Sequence, residues 1–174
     1  FTRPRGVDVA APMLRYAHAR SESLGVPIHL SQQNAEDMNF EDGSFDLIVS
    51  HILVHETSSA AFRKIMKECH RLLAPGGIVI HAETPAYKAM DDFDAFILDW
   101  DTYNNNEPFW GTVHDLDLEA LAVSAGFPRK AVFQTFAPGA AASAGTTQHV
   151  DVDPKKIMGS DRGGGLKFYF GAMK

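Results

Sequence analysis

The sequence predicts an α/β fold in which a mostly parallel β-sheet carries helices on both faces. Signals for short strands alternate with signals for helices along the first half of the chain. Such alternation is typical of parallel strands joined by right-handed helical crossovers. In addition, the segment 45–50 has an uninterrupted apolar centre at residues 47–49, which is typical of a strand buried on both faces of a parallel sheet.

The first half of the chain contains five predicted elements. In order, they are strand 5–9, helix 13–24, strand 27–33, turn 41–44 and strand 45–50. Pro12 suits the first turn of the helix, because its missing N–H would have no partner there. Gly25 can end the same helix in a left-handed conformation.

The clearest single element is a helix over residues 59–73. Its apolar residues recur at helical spacing and form one stripe, which consists of Phe62, Ile65, Met66, Cys69, Leu72 and Leu73. Thr57, Ser58 or Ser59 can cap its start. The Pro-Gly-Gly sequence at 75–77 stops it, and residues 78–82 predict a further strand.

The second half of the chain continues the α/β pattern with less regular spacing. Its predicted elements are helix 93–100, helix 116–125 with Asp115 as its cap, strand 131–136 and a final strand 166–170. The aromatic residues of the first of these helices indicate either a helix of the core with an interface, or a cover over a substrate. The sequence shows no internal repeat, so we expect residues 1–174 to form one domain.

Composition excludes several classes of protein. The formal net charge of −6 and the absence of a Lys/Arg block disfavour nucleic acid as a partner. A single cysteine excludes an intrachain disulfide and a thiolate metal cluster, and it fits a reducing, cytoplasmic setting. No apolar run approaches the ~20 residues of a membrane span, so no membrane partner is predicted.

Four segments resemble motifs of the class I S-adenosylmethionine (SAM)-dependent methyltransferases, of the ubiquinone/menaquinone-methyltransferase type. They are similar to the second strand with its helix, the adenine-contacting segment, the fourth strand and the turn before the fifth strand, at residues 6–14, 34–40, 45–50 and 72–77. The resemblance implies a Rossmann-like, doubly wound sheet whose last strand is antiparallel. It also implies that residues 83–114 are an insertion covering the substrate.

One part of the family pattern has no counterpart in the sequence. The family's glycine-rich loop lies between its first strand and first helix, and nothing ahead of Gly6 supplies it. The resemblance therefore implies an N-terminally truncated chain, which also fits a sequence that begins with Phe1. The alternative is a homo-oligomer or a swapped partner segment that fills the gap.

The resemblance also implies which residues hold the cofactor, SAM. Asp8 would accept hydrogen bonds from the ribose hydroxyls, Asn34 would accept from the adenine amino group, and the Ala35 N–H would face the adenine ring. The candidate set is Asp8, Val9, Asn34, Ala35, Glu36, Ser50 and His51, with the last two beside the methionine end. The alternatives are that Asp8 caps a helix and that Asn34 and Glu36 are turn residues.

His55 and Glu56 form an acid/base pair near the predicted strand ends. A histidine can accept a proton near neutral pH, so this pair is the candidate catalytic group. The alternative is that His55 only packs against the following helix. Together with His51 the pair also suggests a zinc site. However, these residues lie on a predicted strand-to-loop turn, where the spacing does not place them on one face as it would on a helix, and no third ligand is evident. We therefore expect no metal.

The resulting expectation is a SAM-dependent methyltransferase acting on a small molecule. A nucleophilic O, N or C atom would attack the methyl group by direct displacement, and most of the protein's work would be positioning. Two alternatives remain open. One is a non-catalytic, methyltransferase-like scaffold that binds a partner, and the other is a NAD-dependent dehydrogenase, since Asp8 would suit either nucleotide.

Overall fold

The computed structural model describes residues 2–83, 92–111, 115–138 and 166–174. The strands are β1 (Arg5–Asp8), β2 (His29–Gln32), β3 (Phe45–His51), β4 (Leu73–Glu83), β5 (Val132–Pro138) and β6 (Leu166–Met173). The helices are α1 (Ala11–Leu24), α2 (Ser59–Leu72), α3 (Asp92–Asn104) and α4 (Leu118–Ala125), with short 3₁₀ turns at Val54–Glu56 and Arg129–Ala131. Contacts divide the chain into two compact units, Phe1–Glu41 and Asp42–Lys174. The expectation of one domain stays a prediction.

The first unit is a parallel strand–helix–strand arrangement. β1 pairs with β2 in parallel, from Arg5 opposite His29 to Asp8 opposite Gln32. Helix α1 has a proline in its first turn and ends at Gly25, whose φ of 64° is left-handed. The sequence predictions for these three elements are therefore confirmed, with boundaries that differ by at most two residues.

The second unit contains a four-stranded sheet in the order β3-β4-β6-β5. β3 and β4 are parallel, whereas β6 runs antiparallel to both of its neighbours, β4 and β5. The predicted antiparallel orientation of the last strand is confirmed. One expectation is wrong: β3 is not buried on both faces. It pairs only with β4 among the described strands, and Val49 in its centre is 66% exposed.

Helix α2 supplies much of the core of the second unit. Its predicted stripe is buried, with Phe62 and Met66 fully inaccessible. The Ser58 hydroxyl oxygen caps the helix by accepting the Ala61 N–H at 3.1 Å. The chain passes directly from Leu72 into β4, because Pro75 cannot continue a helix. Burial raises the pKa of the Cys69 thiol to about 12, so the thiol is not a nucleophile at neutral pH.

Helices α3 and α4 differ in detail from the sequence expectations. On α3, Phe93, Phe96 and Trp100 are exposed while Leu98 is buried, so the interpretation of this stripe as core is wrong. Helix α4 begins two residues later than predicted, since its cap is Asp117, whose Oδ1 accepts the Ala120 N–H at 3.0 Å, and not Asp115. Within the described ranges, none of the helices is long and apolar enough to cross a membrane.

Candidate functional site

The carboxyl ends of β1 and β2 lie at one edge of the first unit. Asp8 ends β1 opposite Gln32, the last residue of β2. The Gln33 N–H donates to the Asp8 carbonyl oxygen at 3.1 Å, which extends the pairing by one residue. Asn34 follows directly. The parallel register therefore brings the predicted ribose-binding and adenine-binding residues, Asp8 and Asn34, to the same edge.

The Asp8 carboxylate makes one hydrogen bond within the protein and can accept further ones. Its Oδ1 accepts the Ala10 N–H at 2.7 Å, at the start of α1, so the predicted alternative of a helix-start contact is present. Its Oδ2 has no hydrogen-bond partner in the described part of the chain. Since an ionised carboxylate can accept several hydrogen bonds, Asp8 can still accept from two hydroxyl groups.

The segment after β2 is a tight polar turn. The side-chain oxygen of Asn34 accepts the Glu36 N–H at 3.0 Å, and its carbonyl oxygen accepts the Asp37 N–H at 3.1 Å. Asn34 and Glu36 are therefore turn residues, as the alternative predicted. The Asn34 side-chain oxygen keeps a second lone pair, and the Ala35 N–H has no partner among the described residues. Val9 is exposed.

These donors and acceptors fit a nucleoside. The ribose offers two hydroxyl donors that Asp8 can accept, and adenine offers an amino donor and ring-nitrogen acceptors that match the Asn34 oxygen and the Ala35 N–H. In α/β folds of this kind, ligands bind outside the carboxyl ends of parallel strands. The edge of the first unit therefore has the chemistry that a nucleoside cofactor requires.

In the second unit, Ser50 and His81 form a hydrogen-bonded pair on adjacent strands. They are neighbours in the β3–β4 register, and the Ser50 Oγ lies 2.7 Å from His81 Nδ1. The His81 ring stacks on Phe170 and meets Phe62 edge-on, and it is only 1% exposed. Sequence reasoning assigned no role to His81, because a lone histidine in an apolar strand gives no signal of its partner.

Burial sets the protonation state of His81. Its loss of solvent lowers the pKa of His81 to about 4, against an opposing effect of the negative charge on Glu83. Its Nε2 is the one buried side-chain nitrogen or oxygen without a hydrogen-bond partner within the described ranges. The ring is therefore neutral at neutral pH.

Acidification is expected to destabilise the fold through His81. The unfolded chain takes up a proton at this histidine below its ordinary pKa of 6.5, whereas the folded chain does so only near pH 4. The contribution of the neutral ring to the free energy of unfolding is complete above pH 6.5. It falls by about 3 kcal/mol as the pH decreases toward 4. Urea unfolding of the wild type and of His81→Asn at several pH values measures the difference. Equal pH slopes for the two proteins would contradict this account.

The two histidines predicted near the strand ends have different environments. His51 is exposed and has no polar contact in the described structure. After it, Ile52 adopts a φ of 54°, which is strained for a β-branched residue, and donates its N–H to the Ala82 carbonyl at 2.9 Å. This bend leads into the 3₁₀ turn that carries His55. No group of three or more metal-binding side chains lies together among the described residues.

His55 lies in a buried polar contact with a residue that sequence reasoning missed. The ring is 5% exposed, and its Nδ1 lies 2.5 Å from the Oε1 of Glu83. The other carboxylate oxygen of Glu83 accepts the Val54 N–H at 2.8 Å. The Trp110 ring stacks on a face of the His55 imidazole at a centroid distance of 5.0 Å.

Glu56, the predicted partner of His55, stands on the solvent side. Its Oε1 is 3.6 Å from His55 Nε2 and its side chain is 57% exposed, so the two atoms are close but not hydrogen bonded. The bonded carboxylate is instead Glu83, 28 residues from His55 along the chain. The only sequence signal for it is an acidic residue at the end of an apolar strand.

Comparison with known proteins shows which proteins this chain resembles. Residues 2–77 match the family model described as a methyltransferase domain, and this segment contains Asp8, Asn34 and His55. Over 98% of this chain, the structure resembles a SAM-dependent methyltransferase from Methanosarcina mazei with a TM-score of 0.62 and 17% identity, covering 81% of that chain. The fold is that of the class I SAM-dependent methyltransferases, and the resemblance found in the sequence is confirmed.

Two curated relatives carry the same name. The demethylmenaquinone methyltransferase of Thermus thermophilus is 34% identical over 80 residues, which cover 46% of this chain. The demethylmenaquinone methyltransferase of Lactococcus lactis is 34% identical over 114 residues, which cover 62% of this chain. The matched segments span 36% and 41% of the lengths of these two relatives.

Proposed function

We propose that this protein transfers the methyl group of SAM to a small-molecule acceptor by direct displacement. The observation that carries the proposal is the edge formed by β1 and β2. There the Asp8 carboxylate and the Ala35 N–H keep free hydrogen-bonding capacity, inside the segment that matches the methyltransferase domain. This edge fits the nucleoside part of the cofactor.

The residues of the first unit would bind and orient the nucleoside. Asp8 would accept from the ribose hydroxyls through the oxygen that the Ala10 N–H leaves free. The Asn34 side-chain oxygen would accept from the adenine amino group, and the Ala35 N–H would donate to the ring. Val9 and Glu36 would flank the nucleoside. The assignment of Ser50 and His51, which belong to the second unit, to the methionine end stays a prediction.

In the second unit, His55 would act as the base. The cofactor supplies a methyl group on a positively charged sulfur. When an O–H, N–H or C–H group of the acceptor attacks this carbon, the acceptor must lose a proton, and His55 Nε2 would take it. Glu56, whose carboxylate lies 3.6 Å from Nε2, would stabilise the imidazolium that forms and pass the proton to solvent.

The acceptor is a small molecule that becomes more nucleophilic when it loses a proton. The two curated relatives are named for the methylation of demethylmenaquinone, so a demethylated quinol is the first acceptor to test. The exposed aromatic residues Phe93, Phe96 and Trp100 of α3 offer an apolar surface for such a ring, which supports the predicted substrate-covering role of this segment.

Incubation with SAM bearing a deuterated methyl group tests the proposal. The protein, the labelled SAM and a reduced demethylated quinone are mixed, and the products are analysed by mass spectrometry. We expect S-adenosylhomocysteine and a labelled quinol in equal amounts, with a panel of small phenols and amines as further acceptors. Absence of S-adenosylhomocysteine formation with every acceptor, from protein shown to bind it, would contradict methyl transfer.

A further inference from the structure

We infer that Glu83 is a positioning residue that fixes the tautomer of His55 and leaves Nε2 as the proton-accepting nitrogen. The inference rests on the proposed function for its catalytic consequence, but the tautomer itself is a property of the protein alone. Neither the family match nor any relative's name assigns a role to this glutamate.

The short contact defines the direction of the hydrogen bond. Both oxygens of the Glu83 carboxylate face donors: Oε2 accepts the Val54 N–H at 2.8 Å, and Oε1 lies 2.5 Å from His55 Nδ1. An ionised carboxylate can only accept, so Nδ1 carries the hydrogen. A neutral imidazole has one N–H, and Nε2 therefore keeps a lone pair.

Burial of both side chains keeps the hydrogen bond between His55 and Glu83 in place. The side chains of His55 and Glu83 are 5% and 4% exposed, so water cannot replace either partner. In a buried pair of this kind, removing one partner leaves a polar or charged group without compensation. The Val54 N–H holds the carboxylate in place, and the stacked Trp110 ring restricts rotation of the imidazole.

The other ring nitrogen faces Glu56. Nε2 makes no hydrogen bond within the described part of the chain, and the exposed carboxylate of Glu56 lies 3.6 Å away. A fixed Nδ1–H and an Nε2 without a hydrogen bond to any described residue are the two properties that a base acting through Nε2 requires.

Nitrogen NMR of the histidine rings tests the tautomer directly. The protein contains eight histidines, and the His55→Gln variant identifies the signals of His55 by their loss. In the wild type without substrate we expect a protonated Nδ1 and a bare Nε2. In Glu83→Gln, whose amide can donate to Nδ1, we expect a shift toward the tautomer protonated at Nε2. Glu56→Gln is the matched control and should leave the tautomer unchanged.

The shorter variant Glu83→Asp shows whether an effect of Glu83→Gln comes from the lost charge or from a folding defect. It keeps the negative charge, so we expect it to restore the tautomer protonated at Nδ1, and circular dichroism shows whether both variants fold. An unchanged tautomer in folded Glu83→Gln, or a wild type protonated at Nε2, would overturn the inference. Loss of folding in both variants would also overturn it, since Glu83 would then serve the fold and not the ring.

Measurement of kcat distinguishes a failure of this inference from a failure of the proposed function. We expect Glu83→Gln to lower kcat for methyl transfer by ~10²-fold or more, with little change in the KM for SAM, and Glu83→Asp to recover much of the loss. A changed tautomer with unchanged kcat would contradict the role of His55 as the base, while the control of the ring by Glu83 would stand.

Discussion

Replacing His55 with glutamine is expected to lower kcat for methyl transfer by ~10² to 10⁴-fold, the usual contribution of a general base. Glutamine can keep a hydrogen bond to Glu83, whose carboxylate lies 2.5 Å from His55 Nδ1, but it cannot accept a proton near neutral pH. Affinity for S-adenosylhomocysteine should stay near the wild-type value, because the nucleoside is assigned to Asp8, Asn34 and Ala35. Steady-state kinetics and calorimetry measure the two quantities.

The matched control for this variant is His18→Gln. His18 is an exposed histidine on α1 whose partner is Glu22, at 3.5 Å, and its replacement should leave kcat unchanged. A wild-type kcat in His55→Gln would show that no base acts through this ring. Equal losses in both variants would indicate a general effect on the protein and would also contradict the assignment.

Replacing Phe62 with alanine is expected to lower the free energy of unfolding by about 3–5 kcal/mol. The Phe62 side chain is fully buried on the core face of α2. Its ring meets Phe170 and the neutral His81 edge-on, so truncation removes apolar burial and leaves a cavity beside a polar ring. Denaturant unfolding followed by circular dichroism gives the change.

Phe93→Ala on α3 is the corresponding control, since it removes the same atoms from a helix. Phe93 is 68% exposed, and surface substitutions of this kind usually change stability by about 0.5 kcal/mol or less. A loss of several kcal/mol in Phe93→Ala, or a loss under about 1 kcal/mol in Phe62→Ala, would mean that the core does not lie where the structure places it.

The sequence predicts the order of the elements well, because apolar periodicity reports local burial directly. Helix α2 shows this most clearly. Five residues of the predicted six-residue stripe are buried on the helix, the sixth, Leu73, is buried at the start of β4, and the cap, Ser58, is one of three candidates. Periodicity cannot report what lies opposite a stripe. The stripe on α3 is exposed, and so is Val49 in the apolar centre of β3.

The candidate site likewise contains residues that the sequence indicates and one that it does not. Asp8 and Asn34 could be found from sequence, because they follow strands whose carboxyl ends must meet at one edge. Glu83 could not, since it lies 28 positions after His55 and their contact depends on the fold of the chain between them. The nearest carboxylate in sequence, Glu56, was the natural choice, but the chain turns it toward solvent. The cytoplasmic setting, the truncation and the oligomer stay predictions.

Calorimetric titration of the purified protein with S-adenosylhomocysteine, with NADH as the comparison ligand, tests the central claim most directly. We predict micromolar binding of S-adenosylhomocysteine and no binding of NADH, with the affinity lost in Asp8→Ala and kept in Asp46→Ala, which replaces an exposed aspartate of β3. Preference for NADH would indicate a dehydrogenase. Binding of neither ligand by folded protein would contradict the proposed methyltransferase and favour a non-catalytic scaffold.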